Sequence, residues 1–283
     1  MTLREALIAL KNKLKNIDDG EIEARYILEK VSGLSYSEMF IKADEDISAE
    51  KYTEALKMAD RRLDGEPIQY ILGQWDFMDF TFKVGEGVLI PRPETEILVE
   101  HILNEIKGVE KAVIYDLCSG SGCIGLSLKK LHKNAVVYLV EKSDEALAYL
   151  KENSERLCGD SDDVTVVHGD ILKVSDFHGL PPADVIVSNP PYIRSDEIPT
   201  LQSEVLCEPV MALDGGEDGL VFYRVLIKEW SKKLKSSGFM AFECGEDQAQ
   251  DVCRLFSEIN FDSKVICDYN NIQRIVTGRR KTK

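Results

Sequence analysis

Nowhere in the chain do about 20 apolar residues follow one another, the length a helix needs to cross a bilayer, so no membrane association is expected. The opening residues, Met1-Thr2-Leu3-Arg4-Glu5-Ala6-Leu7, lack the apolar core of a signal peptide, and the expected setting is the cytoplasm. No Cys-x-x-Cys pair occurs. The seven cysteines (Cys118, Cys123, Cys158, Cys207, Cys244, Cys253, Cys267) are odd in number and scattered, which argues against a disulfide framework and against a zinc site. No metal is expected. Basic residues are in the minority, 35 against 50 acidic ones, for a formal net charge of −15. Such a surface repels a phosphate backbone, so direct nucleic-acid binding is not expected. A small molecule, or a protein with a basic face, suits it better. Internal repeats and low-complexity tracts are also missing.

What is present is 283 residues of ordinary globular composition, enough for two domains. Residues 1–72 read as a helical N-terminal domain. Leu3, Ala6, Leu7, Leu10 and Leu14 recur at helical spacing. Ile22, Ala24, Ile27, Leu28 and Val31 form a second stripe, ended by Gly33, and Ser48 starts a third helix. As a unit these helices are expected to recognise a substrate. Residues 73–90 read as a β-hairpin linker, with Phe80, Phe82 and Val84 alternating and Gly85 and Gly87 near the turn. Its aromatics, Phe77 among them, suit either a core or the wall of a substrate pocket. In Pro91-Arg92-Pro93-Glu94-Thr95-Glu96, the proline and acids suit a helix N-terminus. Arg92 has no such explanation, and a fixed guanidinium there is expected to orient an acidic loop.

Over residues 91–283 strands and helices alternate, which implies an α/β fold with a Rossmann-like parallel sheet. Strands are expected at 112–117, 135–140, 164–167, 184–187, 239–243, 264–268 and 272–276. A long polar loop is expected at 194–218. The first strand ends in a glycine-rich turn, Cys118-Ser119-Gly120-Ser121-Gly122-Cys123-Ile124-Gly125, and the second in Glu141. This spacing matches the dinucleotide fingerprint, so a nicotinamide-dependent oxidoreductase competes at this point. Asp116 beside the loop weighs against it, because a carboxylate repels a pyrophosphate. The same carboxylate suits a ligand with an ammonium and a sulfonium, such as S-adenosyl-L-methionine. Glu141 would then accept from both ribose hydroxyls. Asp170 would accept from the adenine amino group, and Ile171 would pack on its ring. The fourth strand, 184–187, stops at Asn189-Pro190-Pro191-Tyr192, because proline cannot donate to a sheet ladder. A stiff loop at the carboxyl end of a strand is where open α/β folds place their chemistry. His168, although close by, is read as structural, and His101 as a surface helix residue.

Asp116–Gly125, Glu141 and Asn189–Tyr192 together resemble a class I S-adenosylmethionine-dependent methyltransferase acting on a planar amide or amine nitrogen. Pro67–Gly73, Phe77, Leu89–Glu96, Glu208-Pro209, Ala212–Gly216, Asp218–Leu220, Glu243-x-Gly245 with Gln248, and Arg274 narrow the resemblance. It is to the peptide chain release factor glutamine methyltransferase family, of the PrmC/HemK type, and it spans nearly the whole chain. The resemblance implies a seven-stranded methyltransferase sheet and N5-methylation of the glutamine in the Gly-Gly-Gln motif of release factors. It implies that Asp116, Cys118, Ser119, Gly120, Ser121, Gly122, Glu141, Asp170, Ile171 and Asn189 hold S-adenosyl-L-methionine. Asn189, Pro190 and Tyr192 would be catalytic, and these with Pro191, Phe77 and Arg92 would bind substrate. Three positions depart from the family pattern. Cys118 replaces a glycine, Glu141 stands where aspartate is commoner, and Asp79 follows Phe77 where a small residue is common. The competing readings are an adenine N6 methyltransferase on nucleic acid, an oxidoreductase, and a non-catalytic binding module.

Overall fold

A computed structural model describes residues 1–281, which divide into two units. The first unit comprises Met1–Gln74 together with Ser203–Cys207. Its helices are α1 (Leu3–Leu14), α2 (Gly20–Ser32), α3 (Tyr36–Ile41), α4 (Ala49–Leu63) and α5 (Ile68–Leu72). Side chains set their starts. Thr2 with Glu5 and Ser35 with Glu38 form capping boxes, and Ser48 accepts from the Lys51 N–H. The apolar stripes converge, leaving Leu10, Leu14, Ala24, Ile27, Leu28, Ala55 and Ala59 fully buried. Two short helices, α3 and α5, add to the three expected ones. One buried ion cluster fastens the detached segment. Arg62 is 4% exposed; its Nε donates to Glu23 at 2.7 Å and its Nη2 to Glu204 at 2.5 Å.

The second unit comprises Trp75–Gln202 and the chain from Glu208 onward. It opens with a hairpin, β1 (Gln74–Phe77) and β2 (Phe80–Lys83), whose turn is Met78-Asp79, with Met78 at φ 54°. The expected turn near Gly85 and Gly87 is therefore corrected: both glycines follow β2. Next come α6 (Pro93–Glu105), β3 (Val113–Leu117), α7 (Cys123–Leu131), β4 (Val136–Glu141), α8 (Asp144–Cys158), β5 (Val164–His168) and β6 (Ala183–Ser188). After the short helix α9 (Val210–Leu213) follow α10 (Val221–Lys228), β7 (Leu234–Glu243), α11 (Ala249–Glu258), β8 (Phe261–Cys267) and β9 (Gln273–Arg280). Helix α10 ends at Lys228, and β7 takes the chain from Leu234 onward.

The seven strands form one sheet in the order β5-β4-β3-β6-β7-β9-β8. The five strands β5, β4, β3, β6 and β7 are parallel to one another, and β9 runs antiparallel to both β7 and β8. The antiparallel edge departs from the wholly parallel order of doubly wound dinucleotide folds. Alternation along each strand builds a core on each face: Ile114, Val185 and Val187 point to one, Tyr115 and Ile186 to the other. Among the described residues no helix is long and apolar enough to cross a membrane.

Candidate active site

The direction of chain crossing changes between β3 and β6. From β3 the chain winds outward through β4 to β5, and from β6 it proceeds the other way to β7. The crevice beyond such a pair of strand ends is where open α/β sheets bind ligands. Leu117 and Ser188 face one another there, and the Ser188 hydroxyl donates to the Leu117 carbonyl. The next residues, Cys118 and Asn189, both line one pocket at this crevice.

The pocket floor is the turn from β3 into α7. Cys118, Ser119, Gly120 and Ser121 line it, while Gly122 turns the chain into the helix at φ 82°. Cys118 itself has φ 63°, a conformation that favours glycine, so the non-glycine residue here is strained. Gly125 lies so close to β3 that an added Cβ would sit 2.9 Å from Asp116 Oδ2. Its N–H instead donates to that oxygen at 2.9 Å. Asp116 is therefore placed beneath the loop, fully buried and off the pocket wall. Its Oδ1 has no protein partner. Burial raises its pKa to about 7; the Gly125 N–H opposes this and the Glu141 charge adds to it. Burial likewise pushes up the thiols of Cys118 and Cys123, so both stay protonated.

One wall comes from the ends of β4 and β5, with Glu141, Ser143, Asp170 and Ile171. The Glu141 carboxylate serves the backbone first. Its Oε2 accepts from Gly120 N at 2.8 Å, and its Oε1 from Lys142 N at 2.7 Å and Ser143 N at 2.8 Å. A carboxylate offers about four acceptor sites, so this arrangement leaves one for a ligand hydroxyl rather than two. Asp170 Oδ1 accepts from Leu172 N, and its Oδ2 pairs with Lys142 at 3.1 Å. Burial opposes its charge, but the Leu172 N–H and the Lys142 ammonium outweigh it and lower its pKa. His168 is exposed at the end of β5, with Nε2 3.0 Å from the Lys142 carbonyl, and does not line the pocket.

The opposite wall carries Asn189 and Pro191 after β6. Asn189 Nδ2 donates to Thr95 Oγ1 at 3.4 Å, and Thr95 Oγ1 donates to Glu243 Oε2 at 2.6 Å. Pro190 is buried and Tyr192 half-buried; neither is on the wall of this pocket. The Tyr192 carbonyl accepts from Gln248 Nε2 at 2.8 Å, and Ile193 pairs with Asp214, which fastens the loop. Arg92 lines the pocket and pairs with the buried Glu208, whose other oxygen accepts from Ile90 N at 2.9 Å. The basic residues on the wall, Arg92 and Lys142, are thus both engaged by carboxylates.

Phe77 requires a correction. It is 1% exposed, packs edge-on against Phe82 in the core, and does not reach the pocket. The apolar wall is instead supplied by Leu89, Ile124, Ala146, Met211 and Phe222, none of them expected from sequence as a site residue. Leu89 and Ile124 lie inside motif segments and Met211 borders one, so position in the chain was the only signal. Phe222 and Ala146 resemble ordinary helix residues.

Residues 5–73 match the PrmC N-terminal domain, and residues 93–236 match the Methyltransferase small domain. The chain is 36% identical to the release factor glutamine methyltransferase of Clostridium acetobutylicum over 288 residues, covering 99% of each protein. Identity to the protein of the same description from Clostridium botulinum is 38%, covering 99% of this chain and 100% of the relative. Among solved structures, the ribosomal protein L11 methylase from Lactobacillus delbrueckii subsp. bulgaricus covers 71% of this chain and 86% of its own, at 18% identity and a TM-score of 0.51. That likeness shows a methyltransferase fold. The full-length identities show more: the chain belongs to the release factor glutamine methyltransferase family.

Proposed function

We propose that the protein is a protein-(glutamine-N5) methyltransferase of the cytoplasm. Its cofactor is S-adenosyl-L-methionine, and its substrate is the Gly-Gly-Gln glutamine of peptide chain release factors. The observation that carries the reading is the position of Asn189. Its amide lines the same pocket as Cys118–Ser121, Glu141, Asp170 and Ile171, and no hydrogen bond from the described residues reaches its Oδ1.

The lining fits the cofactor better than a dinucleotide. Glu141 retains an acceptor site for a hydroxyl, Ile171 offers an apolar surface, and Asp170 an acceptor. Asp116 and its partnerless oxygen place latent negative charge beneath a cationic ligand. Among the residues lining the pocket no basic side chain is free for a pyrophosphate, since Arg92 and Lys142 are already paired. When bound, the cofactor supplies an electrophilic methyl group on a sulfonium.

The chain's own residues then act on the acceptor. An amide nitrogen is a weak nucleophile because its lone pair is delocalised. Asn189 Oδ1 and the Pro190 carbonyl accept its two hydrogens, since an NH₂ offers two donors. Asn189 is held beforehand by Thr95, and acceptors so placed stabilise positive charge as it develops on the nitrogen. Pro191 stiffens the loop, and Tyr192, half-buried behind the pocket wall, is the flat ring that a small turn of the loop would bring against the planar amide. Arg92, held by Glu208, shapes the approach. No strong base is needed, because the proton is acidic once the nitrogen is substituted. Positioning supplies much of the rate. The net charge of −15 suits a protein substrate over nucleic acid.

The deciding experiment is mass spectrometry of an intact release factor incubated with the protein and labelled cofactor. One added methyl on the Gly-Gly-Gln glutamine is expected. Methylation of DNA with release factor untouched would replace this reading with an adenine methyltransferase. Tight NADH binding without S-adenosylhomocysteine binding would replace it with an oxidoreductase, and cofactor binding without transfer to any substrate with a binding module.

A further inference from the structure

Asn189 can serve as an acceptor only if its oxygen, and not its NH₂, faces the substrate. A side-chain amide can rotate by half a turn with little change of shape, so something must choose between the two orientations. Flipped, it would oppose the substrate NH₂ with a second NH₂, donor against donor. The choice is made behind the pocket. Thr95 lies in the first turn of α6 and is 2% exposed. Glu243 ends β7, next to β6 in the sheet, and is 3% exposed. The Thr95 hydroxyl has one hydrogen, and at 2.6 Å that hydrogen goes to Glu243 Oε2. Its oxygen is then purely an acceptor toward Asn189, whose Nδ2 stands 3.4 Å away.

We propose that Thr95 and Glu243 are positioning residues. The ionised Glu243 takes the only proton of Thr95, so that Thr95 can accept but not donate, and this holds Asn189 with Oδ1 toward the substrate nitrogen. The inference rests on the proposed function for its kinetic consequence, although the orientation itself is a property of the protein alone.

The state of Glu243 governs the polarity of the chain. A protonated Glu243 could donate to Thr95, freeing the Thr95 hydrogen to meet Asn189 Oδ1 and favouring the flipped amide. Burial raises the Glu243 pKa to about 7, against the pull of the Thr95 hydrogen bond and of Arg274 and Arg92, with Glu94 adding to the rise. Other titratable groups that feel Glu243 are Tyr192, Cys244, Cys123 and Tyr223. These are thiols and phenols held protonated by burial, and they do not titrate near neutrality.

The test uses full-length Thr95→Val, Thr95→Ser and Glu243→Gln. Val keeps the shape of Thr and removes the acceptor. It is expected to lower kcat about 10- to 100-fold, the scale of one hydrogen bond to a charged network plus misorientation of the acceptor. KM for the cofactor should hold, and Ser should restore most of kcat. In the wild type kcat should rise with pH through about 7, and Glu243→Gln should flatten that profile. Equal losses in the Val and Ser variants would mean packing, and would overturn the proposal, as would an unchanged kcat in Thr95→Val. Should the wild type methylate no release factor, the functional reading falls while the orientation remains testable by NMR of ¹⁵N-labelled protein. The Asn189 side-chain amide signals are expected to titrate near pH 7 in the wild type, and not in Glu243→Gln or Thr95→Val. An Asn189 amide indifferent to pH and to both substitutions would overturn the inference.

Discussion

Glu208 holds Arg92 from 116 residues further along the chain, and with its second oxygen it also holds the Ile90 N–H at 2.9 Å. One buried carboxylate therefore fixes both the backbone and the cation of a pocket wall. Glu208→Ala leaves Arg92 unpaired and the Ile90 N–H without its acceptor. The expected loss of stability is about 2–4 kcal/mol, with weaker binding of S-adenosylhomocysteine. Chemical denaturation and calorimetric titration check the two effects, and unchanged values in both would refute this role for Glu208.

Asn189→Ala removes the acceptor proposed to contact the reacting amide. The expected fall in kcat is about 100-fold or more, comparable to deleting an oxyanion-hole donor. Binding of S-adenosylhomocysteine should change little. Parallel loss of both would reassign Asn189 to cofactor binding alone.

Asp116 gives the ligand-free protein a pH dependence of known sign. Its folded-state pKa is raised from 3.8 to about 7. Between these values the folded state holds a proton that the unfolded state has released. Stability therefore declines as pH rises through this window, by up to about 4 kcal/mol for this group. Asp116→Asn cannot ionise, so its stability relative to the wild type should improve between pH 4 and pH 8. A difference that stays flat across the range would show Asp116 to titrate normally. Cofactor affinity in the wild type should strengthen as pH rises through about 7, because only the ionised carboxylate attracts a cation.

Cys118 sits at φ 63° where glycine would be unstrained. Cys118→Gly relieves about 1–2 kcal/mol of backbone strain and loosens the unfolded chain by about 0.5–1 kcal/mol, for a small net gain. Thermal unfolding should show a melting temperature equal to or slightly above that of the wild type, with no loss of cofactor affinity. A clear destabilisation would mean that packing of the thiol outweighs the strain.

Arg62→Met leaves Glu23 buried without its cation. Burial already raises the Glu23 pKa against the pull of Arg62, so losing Arg62 raises it further. The expected loss of stability is about 3–5 kcal/mol, largely recovered when Glu23 is also made apolar. Glu204→Gln, at a 44% exposed side chain, should cost under about 1 kcal/mol. Unfolding curves of the three variants test this ordering.

Much of this was legible in the sequence because strong local signals coincide with the fold. The parallel strands are short, nearly continuous apolar runs such as Val136–Glu141, and the Pro190-Pro191 pair could only end one. The glycine-rich turn was legible for the same reason, and Arg92 stood out by fitting no helix-start rule, although its partner Glu208 did not. Other features depend on distant partners. Nothing local marks Thr95 as the hydrogen-bond partner of Glu243, 148 residues away. Phe77 and a pocket aromatic look alike until packing assigns one to the core. The Met78-Asp79 turn lacks glycine, so Gly85 and Gly87 attracted the assignment instead. Glu141 reads as a ribose acceptor, yet three neighbouring N–H groups reach it first.

The segment Ser203–Cys207 belongs to the helical unit, while the residues on either side of it belong to the sheet unit. A chimaera made by exchanging residues 1–74 for those of a relative would therefore carry a mismatched lodger. Glu204 and Cys207 would meet a foreign surface in place of the Arg62 side chain and the turn at Gly65. Modular exchange of the N-terminal unit requires transplanting two pieces of chain, and a cut at residue 74 alone severs an element of the unit it was meant to isolate.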